Sequence, residues 1–132
     1  MPIVHASDAT VHDLHGARFT SYAAPSRGSR ELCAWRLDVP PGTPGQPHTV
    51  TREEVVFVLS GTLHVSLSHD PETIGATRAE PSQPGDAVVV PPGSTLRVAN
   101  HGTEPASAWV TTSVGIEAVL PDGTKLTPPW AR

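Results

Sequence analysis

Prolines set the limits of this chain. Fifteen of them, with eleven glycines, fall between short aliphatic and β-branched runs over 132 residues. Proline offers no N–H to a helix or a ladder and its ring fixes φ, so each one ends or edges a regular element. The runs between them, such as Leu32–Val39, Glu54–Leu59 and Ala87–Val90, are short and rich in strand-forming residues. In Leu32–Val39, Cys33, Trp35, Leu37 and Val39 alternate with Arg36 and Asp38, the period of a strand with one buried face. No stretch sustains a 3.6-residue period, and there is no internal repeat or linker. The pattern predicts one all-β domain over residues 1–132, a small antiparallel β-barrel or double-sheet jelly roll.

Composition removes several function classes. Hydrophobic residues at 37% against 17% charged fit a globular chain rather than a disordered one. The net charge is −4 and no basic run exists, which argues against nucleic acid as a partner. No apolar stretch approaches the roughly 20 residues of a membrane-spanning helix. The first residues lack a charged segment followed by an apolar one, so a cytoplasmic protein without a signal peptide is expected. Cys33 is the only cysteine, which forbids an intrachain disulfide, and on an apolar strand face its thiol is inert. Lys125 is the only lysine beside many arginines, the bias of GC-rich, bacterial coding.

The chemistry concentrates in the middle of the chain. Pro40–Pro47 is too rich in proline for regular structure and reads as a rigid loop that aims His48. Glu54–Leu59 reads as a strand, Ser60-Gly61 as a two-residue hairpin loop and Thr62–Ser68 as the partner strand. That register sets Val58 against Leu63, Val56 against Val65 and Glu54 against Leu67. Val56, Val58, Leu63 and Val65 then share one apolar face with Glu54, and His64 falls outside with Phe57. A carboxylate on such a face is costly to bury unpaired. Residues 69–84 read as loop with one short strand near Ile74–Arg78. Thr95–Val98 and Ala106–Val114 read as strands, Ile116–Leu120 as an extension or a last strand, and Thr127–Arg132 as a tail with an aromatic anchor. His5, His12 and His15 have no tight mutual spacing and read as solvated or edge-strand residues.

Two stretches resemble the paired motifs of the cupin superfamily. In the first, G-x5-H-x-H-x3-E-x6-G, Gly42, His48, Glu54 and Gly61 fall in register, and Val50 stands where the second His belongs. In the second, G-x5-P-x-G-x2-H-x3-N, Gly85, Pro91, Gly93 and Asn100 match, and Leu96 stands in the His slot. The resemblance implies a cupin-like barrel whose interior holds a small organic molecule. In the family, three His and one Glu from these motifs hold a divalent metal. Only His48 and Glu54 carry over, and Val50 and Leu96 offer no donor atom. A catalytic zinc site uses three protein ligands and an iron triad two His and a carboxylate. A metal (Fe, Mn, Ni, Cu or Zn) would need His48, Glu54 and a replacement such as His64 or His101.

The expected site is therefore His48 and Glu54 in an apolar pocket, acting as acid/base or orienting groups without a firmly held metal. Its walls are expected from Trp35, Val50, Val56, Val58, Leu63, Val65, Leu96, Val98 and Trp109, with Tyr22 as further stacking surface. Isomerase, cyclase, dehydratase or other lyase chemistry fits such a pair. The other readings are a metal-dependent enzyme such as a dioxygenase and a non-catalytic binding or sensing protein. Family members often dimerise through N-terminal strands, so residues 1–20 are expected to form an arm pairing with a second copy in a homodimer.

Overall fold

The computed structural model describes residues 3–132. Twelve strands follow one another: β1 (Thr10–Leu14), β2 (Ala17–Ala23), β3 (Leu32–Val39), β4 (His48–Val50), β5 (Glu54–Ser60), β6 (Leu63–Ser68), β7 (Glu80–Ser82), β8 (Ala87–Val90), β9 (Thr95–Ala99), β10 (Ala106–Ser113), β11 (Ala118–Val119) and β12 (Lys125–Leu126). Among the described residues the only helical pieces are three-residue 3-10 turns, among them Ile74–Ala76 and Pro129–Ala131. The expected all-β class is what the chain adopts. Two antiparallel six-stranded sheets, ordered β1-β2-β3-β10-β5-β8 and β12-β11-β4-β9-β6-β7, face each other as a jelly-roll barrel. No helix among the described residues is long and apolar enough to cross a membrane.

Alternation places the core. Cys33, Trp35, Leu37 and Val39 of β3, Val56 and Val58 of β5, Leu63 and Val65 of β6, and Ala108 and Val110 of β10 point inward and are buried. Phe57 and Leu59 lie exposed on the opposite face of β5. The inner face read from the sequence is right, but the pairing is not. β5 and β6 do not form a hairpin. β5 pairs with β8 and β10 in one sheet, while β6 pairs with β7 and β9 in the other. Val56 and Val65 therefore belong to opposite walls of the barrel. Gly61 makes the crossing between sheets: its φ is +68°, and a Cβ there would sit 2.3 Å from the Pro105 carbonyl oxygen. The close approach, rather than a tight hairpin, is what requires glycine.

Two further differences are local. β4 pairs with β9 and β11 at His48–Val50, where the sequence suggested only the end of a loop. Ile74–Ala76 is a 3-10 turn with Ile74 buried, and the short strand lies later, at Glu80–Ser82. The N-terminal segment is strand-like: β1 and β2 form a hairpin in the first sheet, with β1 at its edge; Met1 and Pro2 lie outside the described residues.

The motif residues that hold no ligand hold the frame. The buried Asn100 amide donates to the carbonyls of Val39 (3.0 Å) and Glu104 (2.8 Å), and its oxygen accepts from the Gly102 N–H. Its backbone ties to the Pro/Gly loop through Gly42 and Thr43. Gly93 donates to the Val50 carbonyl, and Val50 donates to that of Ser94. These bonds fix the loop and strand that carry His48.

Candidate active site

Between the sheets lies a cavity of about 140 Å³. An apolar cavity of about 150 Å³ accepts a benzene-sized guest, so the space suits one small ring. Its walls come mostly from aliphatic and aromatic side chains, including Val39, Val50, Val56, Leu96, Val98, Val110 and Ile116. The polar side chains that reach it are His15, Thr43, Gln46, His48 and Glu54. The Thr43 hydroxyl donates to the Pro40 carbonyl at 2.7 Å and is occupied there.

Glu54 is the first residue of β5 and shares the inward face of Val56 and Val58. Only 6% of the residue is exposed. Burial alone pushes its carboxyl up from an ordinary 4.5 to about 7, with no hydrogen bond or opposite charge acting against it. His48 opens β4, where its direct cross-strand neighbour is Leu96. Its Nδ1 lies 3.0 Å from the Gln46 carbonyl oxygen. A carbonyl only accepts, so Nδ1 carries the proton and the neutral ring presents Nε2 as a lone pair. Burial lowers the His48 pKa, the bond to Gln46 opposes that, and the charge of His15 lowers it further. Gly45, two residues before the Gln46–Pro47 approach ends, has φ +76°, and a Cβ there would lie 2.3 Å from the Val98 carbonyl oxygen. Only glycine lets the loop press onto β9 and set the ring in place.

The remaining expected wall residues divide. Trp35, Val50, Val56, Leu96 and Val98 line the cavity. Val98 is half-buried there. Val58, Leu63 and Val65 are buried in the core but do not border the cavity. Trp109 is a correction: Ala108 and Val110 take the inward positions of β10, which turns Trp109 outward, where its ring packs 5.4 Å from Tyr22. Neither ring is stacking surface for a ligand inside. His64 and His101 are likewise outside. The His101 N–H donates to His64 Nδ1 at 3.1 Å and the rings lie 5.0 Å apart, because inward Leu63 and Val65 force His64 out.

Several cavity residues carried no role in the sequence. The tail is a wall. Trp130 stacks on Phe19 at 3.7 Å and 8°, and meets Trp35 edge-on at 6.3 Å. Ser21 donates to the Trp130 carbonyl at 2.7 Å, and the buried Cys33 thiol to that of Ala131 at 3.6 Å. His15 reaches the cavity from the β1–β2 turn. No local pattern marks it, because an X-Gly pair between short strands serves a hairpin tip and a corner between sheets alike.

The donor set does not fit the family's metal. Val50 and Leu96 close two of the four ligand positions with hydrocarbon. Among the described residues, no group of three His, Cys, Asp or Glu side chains is arranged to hold an ion.

Fold and site together define a small jelly-roll barrel with a mostly apolar chamber open at one mouth. The chain belongs to the cupin family: the family model described as a cupin domain matches residues 35–113, more than half of it. No curated protein sequence matches. Solved structures do. The polyketide cyclase RemF from Streptomyces resistomycificus superposes with a TM-score of 0.72 at 19% identity, over 86% of this chain and 79% of that one. A putative sugar phosphate isomerase from Acidithiobacillus ferrooxidans gives 0.61 at 24%, over 81% and 67%. KdgF from Halomonas sp. gives 0.65 at 18%, over 83% and 92%. At these identities the likeness is one of fold.

Proposed function

We propose that this cupin is an acid–base enzyme acting on a small, uncharged or weakly acidic ring compound without a firmly held metal, in the isomerase, cyclase or lyase class. The observation that carries the reading is Glu54: a carboxyl buried with no partner, facing a chamber it shares with an imidazole of fixed tautomer. A carboxyl near 7 is partly protonated at neutral pH, and a depressed imidazole is mostly neutral, so an acid and a base stand ready together.

The step follows from those states. His48 Nε2 takes a proton from a carbon beside a ligand carbonyl. The C–H electron pair becomes a C=C bond, and the carbonyl π pair moves to oxygen. The Glu54 carboxyl gives its proton to the ligand at a second position, and return of a proton from imidazolium to carboxylate restores both groups. No net charge enters the mostly apolar chamber, which favours this sequence where charge is costly. The lining holds no Ser or Cys nucleophile and no Arg or Lys to meet a phosphate, which favours a neutral ring over a sugar phosphate. A polyketide cyclase and a putative sugar phosphate isomerase share the fold, which is in keeping with the cyclase and isomerase classes named here.

The test needs no known substrate. Single-ring enolisable ketones, cyclohexenones and cyclohexanediones, are incubated with the protein in D2O and followed by NMR. Catalysed deuterium incorporation is expected, falling by at least about 100-fold in His48→Gln and in Glu54→Gln. Exchange that is equal in wild type and variants, or absent from all, contradicts the reading.

A further inference from the structure

His15 is the third titratable side chain at the cavity, and the backbone that carries it is unusual. Leu14 pairs with Ala17, so His15-Gly16 is a two-residue loop. The φ values of +51° and +81° are those of a type I′ turn. Among the described residues, His15 is the only one other than glycine with positive φ. That turn favours Asn, Asp or Gly at its first position, and a larger side chain there costs roughly 1 kcal/mol. The fold has no need of an imidazole at this point. The site does have use for one: His15 borders the chamber that His48 and Glu54 border, and its charge is felt at His48. The side chain is exposed, so it stands at the mouth while Glu54 lies inside.

We propose that His15 is a further catalytic residue, donating a ring N–H to the ligand oxygen that becomes an enol or enolate while His48 and Glu54 move the proton. The inference rests on the acid–base reading above and specifies the ligand: one ring, with a hydroxyl or carbonyl oxygen directed to the mouth. Of the other polar groups, His48 Nε2 accepts, Glu54 exchanges a proton and the hydroxyl of Thr43 is already engaged, while the Gln46 amide is the other uncharged donor at the wall. A neutral imidazole always keeps one N–H, so His15 supplies a donor in either charge state. A donor held beside the position where oxygen charge develops needs no reorganisation at the moment of reaction.

The probe is phenol, a stable enol of matching size, with toluene as the isostere lacking the oxygen. Binding is measured by calorimetry and ligand NMR for the wild type, His15→Asn and His15→Gly. Both substitutions suit the turn, so unfolding midpoints should stay level or rise. Wild type should bind phenol at least tenfold tighter than toluene. His15→Gly should lose about tenfold in phenol affinity with toluene unchanged, and the shorter amide of His15→Asn should not restore it. Phenol affinity unchanged in His15→Gly overturns the role of His15, even where deuterium exchange still depends on His48 and Glu54. Equal binding of phenol and toluene by wild type, or binding of neither, overturns the ligand class. The reverse failure is separate: His15-dependent phenol binding with no exchange by wild type would sink the acid–base reading alone.

Discussion

Glu54 makes stability depend on pH in a direction set by its environment. Its carboxyl titrates near 4.5 when unfolded and near 7 when folded, so the folded state holds the proton more tightly. The contribution is fully present below pH 4.5 and is lost as pH rises through 7. The span corresponds to about 3 kcal/mol. Glu54→Gln should be close to neutral at pH 4.5 and more stable than wild type by about that amount at pH 8, measured by urea unfolding at both. Equal stability at pH 8 would mean the carboxylate finds a partner or water. His48 works from the other side. Its pKa is lowered in the fold, chiefly by burial, so its contribution is present above its ordinary 6.5 and is lost as pH falls through the folded value. His48→Gln should flatten the acid limb of the stability curve. Both residues were legible in the sequence, because a charged side chain on an otherwise apolar strand face, and a histidine after a proline-locked loop, are conspicuous. His15 was not, since its importance lies in where the β1–β2 turn meets the barrel mouth, and no local pattern encodes that.

At the scale of elements, side-chain alternation was readable and strand pairing was not. Val56, Val58, Leu63 and Val65 all face inward as the period of two requires, yet β5 and β6 lie in different sheets. A glycine between two β-rich runs serves a hairpin and a sheet-crossing corner equally well, and only the packing of Gly61 on Pro105 and Ala106 separates them. Trp109 shows the same limit, for a tryptophan within an apolar run can face either way and Ala108 and Val110 decide it. The C-terminal tail read as an anchor but forms a wall of the chamber. Trp130→Ala should lower stability by about 3–5 kcal/mol and abolish selective ring binding, seen by urea unfolding and by toluene titration. A loss under 1 kcal/mol would show the tail to be a loose cover.

The whole molecule is a cupin barrel that keeps the family's frame and lacks half its metal donors. Gly42, Gly61, Gly93 and Asn100 still fix the loops through their own contacts. Because Leu96 is the cross-strand neighbour of His48 and Val50 lies two residues along the same strand, Val50→His with Leu96→His should place three imidazoles on one wall. Zinc affinity should rise at least about 100-fold by calorimetry, with some loss of stability in the metal-free form; no gain would contradict that placement. The account rests on the barrel creating a chamber dry enough to hold a carboxyl without a partner. Carboxyl-carbon NMR of the Glu54 side chain across pH 3–9, assigned by its loss in Glu54→Gln, measures this directly. The predicted midpoint is about 7. A midpoint near the ordinary 4.5 would contradict the dry chamber and the acid–base pair built on it.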